Sequence, residues 1–262
     1  MSAGPREPLE NRERPGATRL VAWLAIALAL VVVPVWFGFL LDAGWPCSID
    51  GGPESSTPVT LLVDGLLVGL FCLQHTLMAR EGFKRHAARL VPRAFERGLY
   101  NLGASLALLL MLGLWRPLPR SIWELEPGPA RFAAWALFAL GCGVIVTSTL
   151  GLDPLGLAGL RPAPGSAGAR VTPFQVTGLH RLVRHPTYAG WLLVLWAAPS
   201  MSMGRLLLAA LLTLYVLIAI QFEERDLLGR YGEAYARYRR AVPMLLPWRA
   251  RMHARIDPRV QA

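Results

Sequence analysis

Two stretches in the C-terminal part of the chain concentrate the side chains able to do chemistry. One is Gly178-Leu-His-Arg-Leu-Val-Arg-His-Pro-Thr-Tyr-Ala-Gly190. The other is Gln221-Phe-Glu-Glu-Arg-Asp226, followed by Tyr231-Gly-Glu-Ala-Tyr-Ala-Arg-Tyr-Arg239. Histidine, tyrosine hydroxyls, arginines and paired carboxylates are the groups that move protons and hold charged ligands. Beside apolar segments such groups are expensive unless paired or functional. The plainer alternative is that Glu223 and Glu224 pair with Arg181, Arg184 or Arg225 to end a helix at an interface. His185-Pro186 would then simply open a helix with proline in its first turn. The whole set in one place favours function. His75, beside Gln74, reads either as a helix-end histidine or as a side chain facing the same pocket. His180 reads as interfacial, and His86 and His253 as solvated among arginines. Cys47, Cys72 and Cys142 have no CxxC spacing and no histidine at ligand spacing, so neither a metal nor a disulfide framework is expected.

The elements that must position these residues are apolar blocks. Hydrophobic residues make up 54% of the chain and fall in runs rather than in an amphipathic period, which marks the membrane class. The blocks are 20–41, 59–79, 98–115, 132–152, 186–203 and 206–222. The first is long enough for a ~30 Å hydrocarbon core at ~1.5 Å per residue, and all six read as spans. The last two read as a tight antiparallel hairpin turning near Gly204, which sets Arg184, His185 and Tyr188 level with Glu223 and Glu224. Asp64 is expected to hydrogen-bond a neighbouring helix, and Gly65 and Gly69 to let helices approach closely. Trp45, Trp115, Trp123 and Trp248 stand at block edges, where an aromatic belt belongs.

The charge is +10, from 27 Lys+Arg against 17 Asp+Glu, with Lys84 the one lysine. The arginines cluster between blocks, so topology and anionic headgroups explain them and no nucleic acid is expected. Residues 42–58 carry no Lys or Arg, whereas residues 80–97, the loop at 156–177 with its flank to Arg184, and the tail from Arg225 are arginine-rich. Arg116, Arg120 and Arg131 weaken the alternation. The reading is an all-α polytopic membrane protein of about five to six spans, both termini cytosolic. Its expected organisation is an N-terminal tail at 1–19, four spans with loops at 20–177, a C-terminal module at 178–247 made of a helical hairpin and an interfacial segment, and a basic tail at 248–262.

Arg-His-Pro-x-Tyr-x-Gly, then Glu-Glu, then Gly-x-x-Tyr-x-x-Tyr resembles the C-terminal cofactor module of the integral-membrane methyltransferases. That superfamily includes the isoprenylcysteine carboxyl methyltransferases and the phospholipid N-methyltransferases. Further stretches make the chain most similar to the methanethiol S-methyltransferases, relatives of the NnrU-like proteins. They are Gln74-His75-Thr-Leu-Met-Ala79 with Phe83-Lys84-Arg85, Val91-Pro92 with Glu96-Arg97, Thr172-Pro-Phe174, Trp196-Ala-Ala-Pro-Ser-Met201, Ala219 to Leu227, and Val242-Pro-Met-Leu-Leu-Pro247. The likeness covers roughly residues 20 to 247. It departs at Asp153-Pro154-Leu155-Gly156, where an aromatic residue before the glycine is the expected pattern.

The resemblance implies S-adenosylmethionine as cofactor and no metal. It implies that Arg184, His185, Pro186, Tyr188, Gly190, Glu223, Glu224, Tyr235 and Arg239 hold that cofactor. His185, Tyr188 and His75 are the candidates for catalysis. The implied reaction converts methanethiol to dimethyl sulfide in a bacterial inner membrane, with the bilayer as partner. Carboxylates suit the cofactor's ammonium and sulfonium, and Arg184 or Arg239 suits its carboxylate. Other acceptors, such as a prenylcysteine or a lipid amine, or a non-enzymatic accessory role, are the competing expectations. A transporter ranks below these, since the blocks hold few charges and show no inverted repeat.

Overall fold

The computed structural model describes residues 15–43, 47–151, 156, 160 and 174–248. Trp45, Asp153-Pro154-Leu155, the arginines at 161 and 170, Thr172-Pro173, most of the 156–177 loop and nearly all of both tails lie outside them. The described residues form two compact units, one up to residue 116 and the other comprising 117–151 and 174–248.

The first unit contains α1 (Pro15–Leu40), α2 (Thr57–Ala79), the short α3 (Glu81–Ala87) and α4 (Glu96–Leu114). Both α1 and α2 pack on α4. Glycines on α4 permit this. A Cβ at Gly98 would lie 2.8 Å from Val21 Cγ1, and one at Gly103 2.9 Å from Gln74 Nε2. The glycines expected to serve packing, Gly65 and Gly69, meet nothing within 4 Å, so the close-approach face is on α4 instead. Asp64 is fully buried and accepts the backbone N–H of Arg116 at 3.0 Å, just past the end of α4. Trp115 is not a belt residue. It is fully buried, its indole N–H donating to the Ile49 carbonyl at 3.2 Å.

The second unit contains strand β1 (Ser121–Glu124), α5 (Pro129–Leu150), a 3-10 turn (Gly178–Arg181), α6 (Pro186–Trp196), strand β2 (Ser200–Ser202), α7 (Met203–Tyr231) and α8 (Glu233–Ala241). The strands pair antiparallel, Ser121 opposite Ser202 and Glu124 opposite Ser200.

Among the described residues five helices are long and apolar enough to cross a membrane: Gly16–Leu40, Thr57–Ala79, Glu96–Leu114, Pro129–Leu150 and Met203–Tyr231. The expected helix over 186–203 is shorter than its apolar block. With 11 residues, α6 measures about 16 Å at ~1.5 Å per residue, half a hydrocarbon core. The hairpin nevertheless runs the full distance. His185 touches Glu224 at one end, and Ser202 adjoins Met203 at the other. Along α7 those ends are 21 residues apart, about 31 Å. Residues 197–199 and the strand β2 carry the chain on to Met203.

Extended backbone needs hydrogen-bond partners wherever water does not supply them. The segment 118–125 supplies them. Leu125 N–H donates to Pro199 O at 2.9 Å, Met203 N–H to Arg120 O at 2.9 Å and Gly204 N–H to Leu118 O at 3.0 Å. Trp123 is tied in as well, its indole N–H donating to Ala198 O at 3.2 Å. The loop whose arginines weaken the charge alternation is therefore a folded support for β2.

Candidate functional site

α6 is fixed against α5 through a glycine contact. A Cβ on Gly190 would lie 2.9 Å from Gly141 O and 3.1 Å from Ile145 N, and one on Gly141 would lie 2.8 Å from Gly190 O. Gly190 is thus bare because two backbones meet there. Pro186 is fully buried in the first turn of α6, where a missing N–H costs nothing. Both residues help position α6 at the site.

On α7, Leu208, Leu212, Val216 and Ile220 form a buried row at four-residue spacing. Glu224 continues that row. It is 3% exposed, at the level of the first residues of α6. Its Oε1 accepts from Arg184 Nε at 2.7 Å and from His185 Nε2 at 3.1 Å. Its Oε2 pairs with Arg239 Nε at 2.9 Å. A carboxylate buried to this degree is tolerable because each oxygen faces a cationic or N–H donor. Glu223, its neighbour, is turned outward at 46% exposure, and its Oε2 stands 3.7 Å from His185 Nδ1. His185 therefore has a carboxylate at each ring nitrogen.

Arg184 ties three elements together. Besides Glu224, its Nη1 donates to Arg239 O at 2.9 Å and Val242 O at 2.6 Å, carbonyls left over at the end of α8. The backbone repeats the tie: Arg184 N–H reaches Pro243 O at 2.8 Å and His185 N–H reaches Met244 O at 3.1 Å. α8 is held on its other face by aromatic packing of Phe174, Tyr231, Tyr235 and Tyr238 with Val176 and Val242. Gly232, at φ +53°, makes the sharp break between α7 and α8 that a side chain would resist.

Tyr235 is 1% exposed, and its hydroxyl oxygen finds no hydrogen-bond partner among the described residues. Burial, then the negative charge of Glu224, pushes its pKa up to about 12. Tyr238, also raised by burial, donates its hydroxyl proton to His180 O at 2.7 Å. Burial and the charge of His185 lower the pKa of His180. Tyr188 lies one turn into α6, its ring 5.7 Å from that of His185.

The structure thus brings together Arg184, His185, Tyr188, Glu223, Glu224, Tyr235 and Arg239. His75 belongs to the first unit, where Tyr100 Oη is 2.8 Å from its Nε2 and the Phe71 ring 5.6 Å away. Sequence reasoning missed the carbonyls of Pro243 and Met244 and the hydroxyl of Tyr238. The last had a signal: Tyr235 and Tyr238 recur at helical spacing and so share one face of α8. Among the described residues no three His, Cys, Asp or Glu side chains are grouped to hold a metal ion.

No family model matches the chain, and no solved structure does. Among curated proteins it is 42% identical over 223 residues to "Methanethiol S-methyltransferase" of Mycobacterium tuberculosis, covering 84% of this chain and 91% of that protein. It is 40% identical over 214 residues to the protein of the same name from Crocosphaera subtropica, covering 80% and 84%. A more distant likeness, 33% over 198 residues, links it to "Nurim" of Bos taurus, covering 70% and 73%.

Proposed function

The chain belongs to the methanethiol S-methyltransferase family, and from that premise we propose that it methylates methanethiol to dimethyl sulfide with S-adenosylmethionine. The observation that carries the reading is identity of about 40% sustained over four-fifths or more of the chain.

The cofactor presents an ammonium, a carboxylate, a sulfonium and ribose hydroxyls. The site offers complements that its internal pairs leave available. Glu223 is a half-exposed carboxylate for a cationic group. Arg239, 45% exposed, is a guanidinium for a carboxylate. The Tyr235 hydroxyl is a buried donor awaiting an acceptor. The set fits. Glu224 holds Arg184, His185 and Arg239 in place and is a positioning residue. Tyr188, beside His185, provides an aromatic face at the mouth of α6.

The bound cofactor supplies an electrophilic methyl group on a sulfonium. Attack by a thiolate cancels two opposite charges, so a dry site favours the transition state over the separated ions. The protein's part is alignment and exclusion of water. Arg184 serves both by clamping α8 over the start of α6. His185 stands between the two carboxylates, 3.7 Å from Glu223 Oε2 and 3.1 Å from Glu224 Oε1.

Both termini are assigned to the cytosol of a bacterial inner membrane. The full-length course of 185–202 beside α7 supports this, because it makes the number of crossings even. The arginine distribution supports the same orientation.

Headspace gas chromatography of cells expressing the protein and fed methanethiol tests the reaction. Dimethyl sulfide above the vector control, with the protein present in the membrane, is expected. Its absence, with S-adenosylmethionine still bound by purified protein, would assign another acceptor.

A further inference from the structure

Residues 80–95 join α2 to α4, two of the helices long and apolar enough to cross a membrane, and so lie where both leave the bilayer. Residues 80–97 carry six Lys or Arg against two Glu. α3 and the chain after it, with the end of α2 and the start of α4, line a cavity of about 160 Å³. Its walls include Met78, Phe83, Ala88, Val91 and Leu99. The charged side chains in the lining, Lys84 and Glu96, pair with each other at 3.0 Å. The cavity therefore calls for an apolar occupant. An apolar cavity of about 150 Å³ stays dry and holds a molecule of benzene's size, so this one suits about six carbons of an alkyl chain.

The outer side of the same segment is cationic. Lys84 and Ala88 line the cavity, and the residues that follow each of them, Arg85 and Arg89, are exposed. The two arginines are four residues apart, and the bond from Ala88 N–H to Lys84 O at 2.9 Å continues the helical winding between them, so they share one side. Leu90, next to Arg89, is 86% exposed. A bare leucine among cations suits the boundary between headgroups and acyl chains. We propose that residues 83–91 bind one anionic phospholipid, with its phosphate on Arg85 and Arg89 and the upper part of one acyl chain in the cavity.

Each half of the site argues against a simpler ligand. Free phosphate meets the arginines and leaves the cavity unfilled. A neutral lipid fills the cavity and makes no use of the arginines. Glu96 is matched by Lys84 and does not offset them. Each basic residue close to anionic headgroups is worth about fivefold in binding, so the two arginines together give about 30-fold in favour of the charged lipid.

The test uses full-length protein in nanodiscs of phosphatidylglycerol and phosphatidylcholine with matched chains, and native mass spectrometry reads the lipid retained on release. Preferential retention of phosphatidylglycerol is expected, and equal retention of the two would overturn the proposal. Arg85→Gln with Arg89→Gln should lower that preference about 30-fold, while Arg225→Gln with Arg230→Gln, an exposed pair elsewhere, should leave most of it. The same loss in both double variants would overturn the site by making the preference a matter of total charge. Ala88→Leu, with melting unchanged, fills the cavity and should reduce retention of both lipids alike. Retention untouched by it would overturn the acyl seat. Free glycerol phosphate that displaces the retained lipid would overturn the proposal in favour of a soluble anion.

Discussion

Replacing Glu224 with glutamine keeps the shape of the side chain and removes its charge. Arg184, 11% exposed, and His185 then face a neutral amide inside the protein, and Arg239 loses its anion. Removing one partner of a buried ion pair costs about 3–5 kcal/mol. Arg239 is nearly half exposed, so its share is discounted to under about 1 kcal/mol. The glutamine carbonyl still accepts one bond from Arg184, which returns about 1 kcal/mol. The net is about 3 kcal/mol, or roughly a hundredfold in a local equilibrium. It falls on one element, because Arg184 also holds the Arg239 and Val242 carbonyls and its backbone meets Pro243. Amide hydrogen exchange in nanodiscs is the assay. Exchange over residues 233–241 should accelerate about a hundredfold while the α5–α6 contact keeps its protection. Unchanged protection of α8 with cofactor binding abolished would refute the reasoning, and Glu224 would be a ligand group rather than a clamp.

Glu223→Gln should weaken S-adenosylmethionine binding by about tenfold, the worth of one charge-assisted bond, with no change in α8 exchange, as calorimetry and exchange together would show. Tyr235→Phe removes a buried hydroxyl without a partner, so the cofactor-free protein should gain about 1 kcal/mol in thermal unfolding while its cofactor affinity falls. The folded pKa of Tyr235 lies above the unfolded value of about 10. Its contribution is therefore intact below pH 10 and lost as pH rises toward about 12, a step missing from Tyr235→Phe melts. Gly190→Ala sets a Cβ 2.9 Å from a carbonyl oxygen on α5, and overpacking of about 1–3 kcal/mol should lower the melting temperature of the purified protein.

The apolar blocks, the hairpin and the meeting of Arg184 and His185 with the Glu pair were legible because each follows from local pattern and chain length. The inward turn of Glu224 rather than Glu223 was not, since residues 206–222 are apolar nearly all round and only the structure singles out Leu208, Leu212, Val216 and Ile220 as the buried row. The early end of α6 had a local signal, Pro199, which lacks the N–H that a continuing helix needs. The pairing of residues 200–202 with β1, some eighty residues earlier, had none. The packing role of Gly98 and Gly103, and not of Gly65 and Gly69, likewise depends on which helix faces which. Tyr235 and Arg239 were expected at the site on motif alone. Their division of labour, an unpartnered hydroxyl and a half-exposed cation, needed the folded tail.

The backbone bonds from Arg184 and His185 to Pro243 and Met244 have a consequence for biogenesis. Sixty residues separate the two sides of that closure. At about 5–20 residues per second of synthesis, the ribosome adds the later side some 3–12 s after the earlier one. During that interval Glu224 has emerged without Arg239, and Arg184 has no carbonyls to cap. The nascent chain thus inserts its apolar helices first and acquires a complete site as residues 239–244 arrive.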